Sequence, residues 1–299
     1  MLEDFAISKT GEQVWFFTVR PQMGFDEIIP SWNVSLAPNA KLSFAIRPVA
    51  AGKTDWIEIG TCPALPTTKP PAMELIHLKS LVREVKIRMT LTQPLPGQTM
   101  VRLLAISVSN AKFFGPSGIE TKVPAWGVIE PLPEPDHPMT ATELMLRYWS
   151  QALGVPKLYA DLDSFDRLTG GNLTLQVAYA GSVGTMLAYR TRATAILDIE
   201  SWTQRSVPVI CDLGSGTGLK RVIVTGFNLA GDPVLLNPLI HATKPISMIR
   251  DSFELQWLKS KRSLTMILPY AVYTPPDTKG VFLHGHQDPA ELGKSGSNR

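Results

Sequence analysis

Thr140-Ala141-Thr142-Glu143-Leu144-Met145-Leu146-Arg147-Tyr148-Trp149-Ser150-Gln151-Ala152-Leu153 is the strongest helical stretch in the chain, and the fold class turns on where it falls. Thr140 is a capping residue type, Glu143 three positions on suits a capping box, and Gly154 supplies the stop. Leu144, Leu146, Tyr148, Trp149 and Leu153 cover most of the circumference, so the helix is expected to be well buried. Just before it, Pro124, Pro131, Pro133, Pro135 and Pro138 fall within residues 123–138. Such a segment reads as a linker, or as extended chain laid over a surface.

The sequence patterns differ on the two sides of this junction. Upstream, Lys41–Arg47 and Val85–Leu91 alternate apolar and polar residues, as half-buried antiparallel strands do. Gln13–Val19 and Val101–Val108 supply two more strands. The apolar parity of the last slips at Leu103-Leu104, which implies a bulge or burial on both faces. Proline-rich breaks at residues 63–71 and 94–97 separate the strands, so residues 1–122 are expected to form an antiparallel β-sandwich. Downstream, helices are expected near Leu173–Ser182, Ala193–Arg205 and Asp251–Leu258. Strands are expected at Val207–Cys211, Arg221–Gly226, Pro233–Leu236 and Leu264–Leu268. A buried helix followed by mostly antiparallel strands is an α+β arrangement. It is assigned to residues 123–275, with a flexible C-terminal tail at 276–299.

Composition narrows the function classes. Of 299 residues, 44% are hydrophobic and 18% charged, which excludes a disordered polyelectrolyte. A net charge of +3 with no clustered excess argues against nucleic acid as a partner. Two cysteines exclude a disulfide scaffold and a cysteine-rich zinc site. No apolar run has membrane-span length, and no leader follows Met1-Leu2-Glu3-Asp4, so a cytoplasmic location is favoured.

Few residues carry chemistry. His284-Gly285-His286 lies in a polar tail without accompanying ligands, and His77 falls in a strand-like segment, so no metal and no cofactor are expected. Cys62 precedes a proline and Cys211 ends an apolar strand, so both are expected as free thiols without a disulfide between them. Asp212 beside Cys211 disfavours a thiolate. Leu213-Gly214-Ser215-Gly216-Thr217-Gly218 lacks the lysine and the following helix of a phosphate loop, so it reads as a connection between two strands.

From about residue 10 to 270 the chain resembles bacterial peptidase C39-like proteins, in which a β-rich N-terminal domain precedes a papain-like cysteine peptidase domain. Pro30-Ser31-Trp32-Asn33, Asp55–Gly60 and Val85–Leu91 carry the likeness in the first half. Met139-Thr140, Leu146–Trp149, Ala178–Ser182, Val207–Ile210, Val224–Phe227 and Asn237-Pro238 carry it in the second. The resemblance implies a papain-like second domain with its nucleophile at the head of the buried helix, where this chain has His137. It implies a histidine base where Lys220 stands, and an orienting acid where Asn237 precedes Pro238. The oxyanion glutamine corresponds to Val128 or its immediate neighbourhood.

None of these four supplies the family's chemistry, because a cysteine peptidase needs a thiolate, an imidazole base and an oxyanion donor. The expected function is therefore a catalytically degenerate relative that binds a peptide, a glycan or a protein partner. The alternative is an enzyme that reuses the groove for other chemistry through Asp136-His137, Lys220 and Asn237. Either reading expects His137, Lys220 and Asn237 to cluster in space, with His137 neutral beside a lysine.

Overall fold

The computed structural model describes residues 2–7, 12–21, 23–36, 40–49, 55–62, 75–92, 100–110, 139–154, 172–183, 186–238 and 245–269. The proline-rich segments at 63–71, 94–97 and 123–138, the tail at 276–299, and His137, Val128, His241, His284 and His286 lie outside the described residues. The chain is a mixed α and β protein with antiparallel sheets, and it divides into two compact units. Among the described residues no sheet joins strands from both sides of the proline-rich junction.

Among the described residues the first unit holds eight strands: β1 (Leu2–Ile7), β2 (Gln13–Val19), β3 (Phe25–Ser35), β4 (Lys41–Pro48), β5 (Ile57–Cys62), β6 (Ile76–Val82), β7 (Val85–Thr92) and β8 (Met100–Ser109). They form a five-stranded sheet in the order β1-β2-β7-β4-β5 and a three-stranded sheet in the order β6-β3-β8. Alternation drives the first sheet. On β7, Val85, Ile87, Met89 and Leu91 are buried, while Lys86, Arg88, Thr90 and Thr92 lie on the other face. The inner faces of the two sheets share one core, in which Trp32 of β3 stacks on Phe44 of β4 at 5.1 Å.

Strand β3 carries Pro30, a residue that the sequence pattern alone would keep out of a central strand. The structure accommodates it because β6 pairs with β3 only from Phe25 to Ile28. Pro30 lies beyond that pairing, opposite Ile106 of β8, so its missing N–H removes no bond to β6.

A helix completes this unit. Leu173–Ser182, which follows α1 (Ala141–Leu153) in the chain and is labelled α2, lies within the span read as the second domain but packs with the sandwich. Leu175 and Ala178 join the sandwich core. Gly181 sits so close to Asn33 of β3 that a Cβ there would run into the Asn33 side chain. Two of the segments that carry the family resemblance, Pro30–Asn33 and Ala178–Ser182, therefore meet at this contact.

The parity slip on β8 has the same origin. Leu103 and Leu104 are both buried, and the β3–β8 register skips Arg102. That bulged residue sends its guanidinium to the Ser182 carbonyl at 2.7 Å, and so caps the C-terminal end of α2.

The second unit contains α1, β9 (Met186–Arg192), α3 (Ile196–Thr203), β10 (Val209–Leu213), β11 (Lys220–Phe227), β12 (Pro233–Leu236), β13 (Ile246–Ser247), α4 (Arg250–Lys259) and β14 (Ser263–Pro269). Its six-stranded sheet runs β13-β12-β11-β10-β14-β9. β9 went unread in the sequence. Its residues from Met186 to Tyr189 are continuously buried, which erases the alternation that marks a half-buried strand.

Candidate functional site

The site expected from the sequence lies in the second unit, at the head of α1. Thr140 caps this helix, its Oγ1 accepting from the Glu143 N–H at 3.1 Å. Only half of the expected capping box forms. The Glu143 carboxylate turns instead to Arg147, accepting from Nε at 3.1 Å and from Nη2 at 3.0 Å. Gly154 ends the helix at φ 63°, as its position implied. Burial is less complete than expected. Leu144, Leu146 and Trp149 are buried, but Tyr148 is half-buried and Leu153 is 42% exposed. The indole of Trp149 donates to the Ile267 carbonyl at 2.7 Å, anchoring α1 to β14.

One backbone bond ties the helix head to the far side of the sheet. The Met139 N–H donates to the Pro238 carbonyl at 3.3 Å. Met139 is two residues after His137 in sequence, and Pro238 directly follows Asn237. β11 pairs with β12 through Ile223↔Leu236. Asn237 directly follows the last residue of β12, and Lys220 is the first residue of the neighbouring β11. Lys220 is exposed at the start of β11, and Asn237 is half-buried and already engaged in an interaction.

The glycine-rich segment reads as the sequence suggested. Gly216–Gly218 forms a single exposed 3-10 turn between β10 and β11, and the backbone delivers Lys220 opposite Leu213. Gly214 turns at φ 84°, and a Cβ there would strike the Gly218 carbonyl, so glycine is required at that position.

Cys211 is free and fully buried in β10. Burial pushes its thiol well above the ordinary range, and the neighbouring Asp212 adds to this. Burial is the larger cause, and it is not visible from the adjacency of Asp212 in the sequence. Asp212 is itself buried between two arginines, with Arg221 Nε at 3.2 Å and Arg190 Nη2 at 3.6 Å. A buried carboxylate with two guanidiniums is a structural ion cluster.

Two polar groupings escaped the sequence reading. The Asp212–Arg190–Arg221 cluster is one. The other, in the first unit, is Glu27, a fully buried residue on β3 between its register partners His77 and Ser109. His77 Nδ1 lies 3.3 Å from Glu27 Oε1, and the Ser109 hydroxyl donates to Oε2 at 2.9 Å. Their separations along the chain, 50 and 82 residues, follow no motif, so only strand pairing reveals them. Among the described residues no three His, Cys, Asp or Glu side chains gather as a metal site.

Comparison with family profiles, with curated proteins and with solved structures returned no match.

Proposed function

We propose that this protein is a catalytically silent relative of the peptidase C39-like proteins, whose former peptidase groove binds a peptide, a glycan or a protein partner. The observation that carries the reading is the Met139–Pro238 backbone bond. It holds the head of α1 against the turn after β12, one strand away from Lys220. A papain-like peptidase needs this juxtaposition of helix head, first strand and second strand to assemble nucleophile, base and orienting group. Here the three positions carry His137, Lys220 and Asn237. The thiol of Cys211 is sealed in β10 and cannot substitute for the missing nucleophile.

A lysine in the base position presents a flexible amine head with donors only, where an imidazole presents a donor and an acceptor on one ring, so it suits ligand holding better than proton shuttling. A groove with an amine and an amide is suited to holding a ligand without cleaving it. The test has two arms. Incubation with a peptide library and a thiol-directed epoxide should give neither cleavage nor labelling. Native mass spectrometry of protein purified from its source should give a noncovalent adduct that Lys220→Ala removes. Thiol-dependent peptide cleavage would contradict the proposal, as would an adduct indifferent to Lys220.

A further inference from the structure

The outer face of the five-stranded sheet in the first unit carries an arrangement that the core does not require. In consecutive rows across this face, Phe16, Arg88, Ala45 and Glu58 align in one, and Thr18, Lys86 and Arg47 in the next. Trp56 immediately precedes β5, and the same register brings it level with Arg47. Its ring centroid lies 6.0 Å from that of Phe16, although Phe16 is three strands away on β2. Trp56 therefore reclines across β4 and β7. The small Ala45 stands on this outer face and is only 1% exposed.

The reclining indole organises two cations. The guanidinium carbons of Arg47 and Arg88 each lie 4.8 Å from its centroid. An arginine stacked on an aromatic ring is desolvated on one face and fixed in orientation, while its in-plane N–H donors stay available. Arg88 spends part of its fork on Glu58 at 2.7 Å. Arg47 and Lys86 have no carboxylate partner among the described residues, and they stand directly opposite each other on β4 and β7. Like charges placed across a strand pair oppose folding.

We propose that this face is a docking surface for an acidic glycan, with Arg47 and Lys86 taking its carboxylates and Trp56 holding Arg47 and Arg88 in place. Charge complementarity sets the sign of the ligand, since three cations face one carboxylate that is already engaged. The location decides the class. On the face of a sheet the backbone groups are used within the ladder, so an added peptide strand finds no edge to pair with. Trp56 and Phe16 are half-buried and lie along the sheet, so they do not project as wedges into a lipid surface. Three cations are too few for the phosphate contacts on which nucleic-acid binding depends.

The experiment uses the full chain and de-esterified oligogalacturonate, titrated by calorimetry at low salt, with the fully methyl-esterified oligomer as the uncharged control. Binding of the acidic form alone, weakening as salt rises, is the expected result. Arg47→Gln and Lys86→Gln should each weaken it by about threefold to tenfold, because a charge-assisted contact at a half-exposed site is modest. Trp56→Ala should do the same without removing a charge, and Trp56→Phe should restore part of the loss. The Gln variants alter partly exposed side chains on the outer face, so their circular dichroism should match the parent. Absence of binding, equal binding of the esterified oligomer, or unchanged affinity in a folded Arg47→Gln/Lys86→Gln variant would overturn the proposal. Tighter binding to phosphatidylserine vesicles or to poly(U) would overturn the choice of ligand.

Discussion

Helices α1 and α2 are each laid on a sheet, yet the two are specified by different means. α1 is written locally: a threonine cap, a left-handed glycine stop, and an ion pair along one face from Glu143 to Arg147. α2 has no charged residue at all, and eight of its ten residues are buried. Its position is fixed from outside, by the close approach of Gly181 to Asn33 and by the bulged Arg102 that caps its end. A locally written helix has its ends marked by its own sequence, although it still needs packing to be stable. A tertiary-written one needs its sheet, and this is why the chain can build α1 in one unit and then return α2 to the other.

The largest expected effect tests the anchoring of α1. Trp149→Ala removes a buried ring and its bond to the Ile267 carbonyl, and should lower unfolding free energy by about 3–5 kcal/mol in urea denaturation. A loss below about 1 kcal/mol would mean that α1 does not depend on the β14 contact.

Gly181→Ala separates the two modes by sign. If helix propensity governed α2, alanine would stabilise it by about 1 kcal/mol. Because the new methyl enters the Asn33 side chain, we expect destabilisation of about 1–3 kcal/mol, with Gly181→Val worse. Thr140→Ala, by contrast, should cost α1 about 1 kcal/mol through the lost cap. No comparable side-chain cap exists on the second unit's α4, where Ile249 occupies the N-cap, so Ile249→Ala should leave the capping contribution unchanged.

The smallest effect concerns Glu200 on α3. Burial raises its carboxyl above the ordinary value, while a hydrogen bond from Gln204 and the charge of Arg250 oppose the shift. A raised folded pKa means that the protonated form suits the fold. Its contribution is fully present below the unfolded carboxyl range near pH 4.3 and is lost as pH rises through the raised value. Glu200→Gln should therefore be slightly more stable than the parent at pH 7, and the gap should close toward pH 4. A variant less stable at pH 7 would show that the Gln204 and Arg250 interactions outweigh burial.

Legibility followed the same division. α1, the alternating strands β4 and β7, the apolar run of β2 and the left-handed stop at Gly154 were readable because each is encoded within a few residues. β3 and β9 were not. β3 tolerates Pro30 only because β6 stops short, and the continuous burial of β9 hides its period. The packing of α2 on β3 depends on a glycine 148 residues from its asparagine contact, which no local pattern reveals. At the candidate site, the sequence pointed to the helix head, the start of β11 and Asn237. The bond from Met139 to Pro238 joins the first to the last. The buried Asp212 cluster and the Glu27–His77–Ser109 grouping were invisible because their members meet only through strand register.

The central claim is that the residue heading α1 and Lys220 share one site. It is tested most directly by introducing a thiol with His137→Cys and following its alkylation rate against pH, resolved by mass spectrometry from Cys62 and the buried Cys211. A neighbouring ammonium favours the thiolate, so adding Lys220→Ala should raise the pKa of the introduced thiol by about one unit. Identical titration curves with and without Lys220 would contradict the account.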